Sequence, residues 1–251
     1  IVSVLLTSAL SGLLGMAGGM ILMAILISLL PVAVTMLLHG VVQATSNGSR
    51  AWFLRRYINW SILRIYLIGA VAALALFSAL TLIPSPGLVL ILVGSFAWLA
   101  RFSKQLRGLD ITQPRTAISC GFVVTAAQLL AGASGPLLDV FYLNTPLNRQ
   151  QIVANKAVTQ TLGHLLKIFY YGLLLNLLAD NAPGGEVQDP TTALPLWVYA
   201  ACVAMAIVGA RLGTRLLERW NDNAFQRISQ IIILATATFC IVQGAYLMLF
   251  A

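Results

Sequence analysis

Residues 1–49 contain no Asp, Glu, Lys or Arg, and no fold that must cover itself with a water-facing surface accommodates such a run. A membrane-spanning helix needs roughly 20 mainly apolar residues, so the run is long enough for two such segments. Residues 65–100 are again free of charge. Only 9% of the 251 residues are charged, against about 25% in soluble domains, and the mean hydropathy is +0.90. A secretory signal peptide would explain one apolar run near the N-terminus, but these runs recur throughout. The chain therefore reads as an all-α polytopic membrane protein. It begins at Ile1 without an initiator Met and is expected to lack a few native residues.

The net charge of +8 does not form a soluble basic face for nucleic acid. The bases cluster in short loops between apolar runs, where they act as positive-inside topology signals. Cys120, Cys202 and Cys240 lie within apolar runs, with neither metal-ligand spacing nor the even count of a disulfide framework. No metal site is expected.

Punctuation divides the chain into eight hydrophobic segments. Breaks fall near Pro31, at Arg55–Arg56, at Pro84-Ser-Pro86-Gly87, in the basic loop 101–115, at Gly132–Pro136 with Pro146, in the acidic loop 178–194, and at 211–227. The basic loops 54–64, 101–115 and 211–227 should be cytoplasmic, and the Lys- and Arg-free loop 178–194 external. Eight full crossings contradict that assignment. The conflict disappears if the first segment of each half dips in and returns as a re-entrant hairpin. Six full crossings then remain, both termini lie outside, and the halves (1–110 and 116–251) form one membrane domain of two inverted repeats. Each repeat has four segments, the first glycine-broken.

A direct echo in the sequence supports the duplication. At an offset of 117 residues, Gly15-Met-Ala-Gly18-Gly19 meets Gly132-Ala-Ser134-Gly135-Pro136, and Gln43 meets Gln160. His39, Gln43, Asn47 and Arg50 lie at i, i+4, i+8 and i+11, on one helical face; Lys156, Gln160, His164 and Lys167 repeat the spacing, with Asn155 beside them. Inverted repeats with broken helices near the midplane are a signature of secondary transporters.

Each element has a bland reading and a functional one. Glycines let helices pack closely, or free backbone to approach a ligand. A half-helix beginning near Gly19 or Pro136 would aim its N–H groups and positive dipole end at an anion. Arg50 sits near a helix end and can snorkel, whereas Lys167 lies deeper. Ionisable groups within spans default to a functional reading. The candidate cations Arg50, Lys156, Lys167, His39 and His164 are matched nearby only by Asp139, so the expected cargo is an anion. Asp139 either neutralises Lys156 or Arg149, or titrates during transport. His39 and His164 are the other proton-coupling candidates, because histidine changes charge near neutral pH. The candidate substrate-binding set is Gly15, Gly18, Gly19, His39, Gln43, Asn47, Ser134, Gly135, Asn155, Lys156, Gln160, His164 and Lys167.

The whole pattern (about 250 apolar residues, two repeats, a glycine cluster in the first segment, and a helix following a Pro-containing bend) resembles the TauE/SafE family of sulfite and organosulfonate exporters, also called the toluene-sulfonate uptake permease family. The two glycine clusters here are thinner than is usual in that family. The resemblance implies transport of sulfite or a small sulfonate across the bacterial inner membrane, with export as the expected direction. It implies no cofactor beyond a coupling proton or sodium ion. The expected partners are the sulfur anion and the bilayer, with a homo-oligomer left open. A compact oxyanion suits a pocket of N–H groups, amides and one or two cations.

Two rivals carry different signals. A small-anion channel shares the cationic core but would not saturate at low turnover. Gly132-Ala-Ser134-Gly135 and Gly163-His164 also match the serine and histidine dyad of rhomboid intramembrane proteases. The 117-residue echo accounts for Gly132 and Gly135 without a nucleophile, since Ala17 takes the place of Ser134. No catalytic residue is expected.

Overall fold

A computed structural model describes residues 1–14, 17–102, 109–175, 177, 190–217 and 222–250. Gly15, most of the acidic loop 178–194, part of the basic loop 101–115 and Glu218 lie outside the described residues. The described chain is all-helical: α1 (Val2–Leu14), α2 (Ala17–Ile27), α3 (Val32–Phe53), α4 (Trp60–Leu80), α5 (Pro86–Phe102), α6 (Pro114–Ala131), α7 (Gly135–Val140), α8 (Arg149–Phe169), α9 (Leu196–Leu217) and α10 (Asp222–Phe250). A 3₁₀ turn, Arg55–Tyr57, follows α3, and one π-helical turn, Tyr170–Leu174, extends α8.

Local chemistry sets most of these boundaries. Pro31 immediately precedes α3, and Pro114 opens α6, where a missing N–H costs nothing. The Asn59 side chain accepts from the N–H groups of Ser61 and Ile62 and so caps α4. Asn148 and Gln151 form a capping box at the start of α8, each side chain accepting from the other's backbone N–H. Gly132 ends α6 in the left-handed region, with φ +69°.

Among the described residues, three helices are long and apolar enough to cross a membrane: Trp60–Leu80, Leu196–Gly213 and Gln230–Phe250. Their apolar windows are only 33, 22 and 17% buried, so most of that surface faces outward, as lipid requires. Helices α1, α2 and α5 are apolar but shorter. At 13 residues, α1 is about 20 Å long, less than the roughly 30 Å of a hydrocarbon core. It also folds back on α2. Val4 packs with Leu22 and Leu26 in one cluster, and a Cβ on Gly18 would meet the Thr7 carbonyl and Ser11. A continuous helix would hold those residues well apart.

The helices pair off as α1 with α9, α4 with α6, α5 with α10, and α3 with α8. Bare backbone makes the α4–α6 contact tight: a Cβ on Gly121 would strike the Tyr66 carbonyl, and one on Gly69 the Ile118 carbonyl. In lipid such interfaces rest on close packing rather than on hydrophobic exclusion. Gly121→Ala is therefore expected to force α4 and α6 apart, costing about 1–3 kcal/mol and lowering the unfolding temperature of the purified protein. An unchanged thermal melt would show that the helices separate freely.

At one end of the molecule Trp52 and Trp60 are exposed, with the Arg55 guanidinium 4.6 Å from the Trp52 ring centre. Tryptophan beside arginine suits the headgroup level of a bilayer.

Candidate functional site

The long helices α3 and α8 cross antiparallel at the centre. A Cβ on Gly40 would meet Ile168, and one on Gly48 would meet Thr161. Each helix carries its polar stripe on the inward face: Thr35, His39, Gln43, Ser46 and Asn47 are buried on α3, and Asn155, Thr159, His164 and Lys167 on α8. Polar stripes that face inward from two crossing helices leave room between them for something polar.

That room is a small cavity, with space for about one or two water molecules as the helices stand. His39, Gln43 and Asn47 line it from α3, and Gln160 and His164 from α8. Gly19 and Met20 contribute from the first turn of α2, Ser11 from α1, and Gln128 from α6. Ala133, Ser134, Gly135 and Pro136, around the start of α7, complete the wall. No Asp or Glu is among these residues. The opening turn of α2 also brings N–H groups that have no partner within the helix.

Hydrogen bonds fix the orientation of the wall. His39 Nε2 donates to the Gly19 carbonyl at 2.9 Å, so its Nδ1 is the acceptor for Lys167 Nζ, also at 2.9 Å. Lys167 Nζ donates in addition to the Gly132 carbonyl at 3.0 Å. This lysine is fully buried and, among the described residues, bonded to no carboxylate. Across the cavity Ser134 Oγ donates to Gln128 Oε1 at 2.6 Å. Gln128 Nε2 donates to the Gly132 carbonyl at 2.8 Å and to His164 Nδ1 at 2.9 Å. With Nδ1 an acceptor, neutral His164 carries its proton on Nε2, which has no partner among the described residues. The two imidazole centres are 5.5 Å apart.

Gln43 lies against Gly19 and is buried, yet its side chain makes no hydrogen bond among the described residues, nor does that of Gln160. Gln160 is only half-buried, and both amides line the cavity with their donors and acceptors free for a ligand. Ser11 Oγ, also on the wall, is buried without a partner.

The sequence candidates divide accordingly. Gly19, His39, Gln43, Asn47, Ser134, Gly135, Gln160 and His164 line the cavity. Lys167 stands behind the wall, reaching it through His39 and Gly132. Gly18 sits between α1 and α2. Asn155 lies off the cavity, its Oδ1 accepting from the Asn59 N–H and its Nδ2 donating to the Gln151 carbonyl. Lys156 forms an ion pair with Asp139, away from the wall. Arg50 donates to the Ser11 carbonyl at 2.9 Å.

The two deep bases thus do the same job. Arg50 meets a carbonyl in the last turn of α1, and Lys167 meets one just past α6, each a cation at the negative end of a helix. Ser11 and Gln128, absent from the candidates, are wall residues too. The 117-residue offset relates them to each other and was the available signal.

Taken together, the outward-facing apolar helices define an integral membrane protein, with a donor-lined cavity at its centre. The chain belongs to the sulfite exporter TauE/SafE family, whose family model matches residues 1–239. Neither a curated protein nor a solved structure matches it. Members of the family are transporters and not enzymes, and membership implies sulfite or sulfonate transport.

Proposed function

We propose that the protein moves a small sulfur oxyanion across the cytoplasmic membrane, outward from the cell, by alternating access around the cavity between α3 and α8. One observation carries this reading. A buried cavity at the meeting of two chain breaks and two crossing helices is lined by amides, imidazoles and hydroxyls, without a carboxylate. Such a lining can replace the water around an oxyanion but offers an organic cation no carboxylate to bind.

We read 1–110 and 116–251 as inverted repeats. The pairing of helices supports this: the partners α1–α9 and α6–α4 exchange under a two-fold operation that maps α1–α5 onto α6–α10, while α3–α8 and α5–α10 map onto themselves. The hairpin α1–α2 and its counterpart α6–α7 would then be re-entrant, and rocking of one repeat against the other would expose the cavity to each side in turn. Of the proton-coupling candidates, we favour His164. Its Nε2 is open to the cavity, whereas His39 is bonded at both nitrogens and Asp139 is paired with Lys156.

The test is the double replacement of Gln43 and Gln160 by alanine. Neither side chain makes a hydrogen bond among the described residues, so the protein should fold, while calorimetric titration with sulfite should show binding weakened by about 100-fold, two neutral hydrogen bonds at about 1.4 kcal/mol each. Wild-type sulfite affinity in the double variant would remove the cavity as the transport site.

A further inference from the structure

A second, larger cleft lies where the C-terminal halves of α3 and α9 meet. Its empty volume is about 1160 Å³. Arg50 on α3 and Arg211 and Arg215 on α9 line it, and among the described residues no Asp or Glu does. Arg50 faces Arg211 and Arg215 across the cleft, the latter two exposed, so the lining offers three guanidinium groups to an anion. Arg211 and Arg215 form no ion pair among the described residues, and Arg50 spends one of its five donors on the Ser11 carbonyl.

Ser46 supplies an independent pointer. It lines the same cleft and is 1% exposed, and its Oγ has no hydrogen-bond partner. A buried hydroxyl left unmatched beside three cations is a donor without an acceptor. Phe53 and Ile207 add an apolar wall, so the cleft suits an anion carrying a hydrocarbon group better than a bare inorganic one.

The cleft adjoins the central cavity. Ser46 faces the cleft and the next residue, Asn47, faces the cavity; Arg50 lines the cleft and bonds to Ser11, which lines the cavity. We propose that the cleft is a second oxyanion site, a vestibule in which an organic sulfonate waits between Arg50, Arg211 and Arg215 before passing Ser11 and Asn47 into the central cavity. Its role as a vestibule rests on the transport reading above; its affinity for the anion does not.

The probe is benzenesulfonate, titrated calorimetrically into the full chain in nanodiscs of neutral lipid. The wild type should show two sites. Arg211→Gln combined with Arg215→Gln should abolish one of them, and salt should weaken that site. Ser46→Ala, which removes no hydrogen bond among the described residues, should weaken the same site by several-fold and leave the other intact. A single wild-type site unaffected by the arginine pair would overturn the proposal. So would phosphatidylglycerol retained by the wild type and lost from the arginine variant in native mass spectrometry, with no second sulfonate site, because the cleft would then hold a lipid. The Gln43 and Gln160 double variant separates the two readings. Two unchanged sites in that variant would reject the central cavity and spare the vestibule.

Discussion

Lys167→Met should abolish most transport while leaving the protein as stable as before. The lysine is fully buried, with Nζ bonded to His39 Nδ1 and the Gly132 carbonyl and, among the described residues, to no carboxylate. Taking an amine out of water without a counter-ion is costly, and an apolar side chain of similar length removes that cost. Against this, His39 Nδ1 loses its donor, a penalty of about 1–3 kcal/mol. The two effects oppose each other, so the unfolding temperature should shift by no more than about 4 °C either way. Transport has no such compensation. Lys167 is tied to both the His39 wall and the second chain break, and its two hydrogen bonds, about 1 kcal/mol each, correspond to a loss of roughly 10- to 100-fold. Sulfite flux into proteoliposomes is the measurement. A variant with a normal melt and normal flux would reduce Lys167 to a packing residue.

Gly132→Ala should fail for a different reason, through the backbone. Gly132 has φ +69°, where a residue with a Cβ is strained by about 1–2 kcal/mol. The new methyl group would also approach Met36 Sδ to 2.7 Å and Lys167 Nζ to 3.3 Å, and would crowd the Met23 methyl. The methionine ends can yield. The lysine cannot move far without losing its partners. The same residue's carbonyl accepts from both Lys167 and Gln128, so relaxing the strain shifts the acceptor that holds two wall groups. Both the unfolding temperature and sulfite affinity should fall, the latter by at least about tenfold for each 1.4 kcal/mol lost. Wild-type values for both would show that the turn does not need glycine.

Much of this was legible in the residues. The apolar runs announced membrane helices because lipid leaves the backbone no partner but itself, and Pro31, Pro84-Ser-Pro86-Gly87 and the glycine break at 132 marked ends that the helices observe. The stripe at i, i+4 and i+8 named His39, Gln43 and Asn47 as neighbours on one face. Asn155, Lys156 and Lys167 share the second stripe but not one environment. Periodicity states which way a side chain points around its own helix; it does not state what stands opposite. Asn155 meets the Asn59 backbone, Lys156 meets Asp139, and Lys167 meets His39.

The sequence by itself determined the medium, the helices, the approximate breaks and the polarity of the core. These follow from composition and short-range spacing, which a single chain carries in full. Only the tertiary structure decided which polar groups converge. Ser11 and Gln128 joined the wall because α1 and α6 end against α3 and α8. Arg50 and Lys167 turned to carbonyls because each helix end behind them is negative. Arg50, Arg211 and Arg215 came to share one cleft because α3 and α9 finish side by side. Contacts between residues more than a hundred positions apart depend on how helices pack, and packing is decided by shape across the whole bundle.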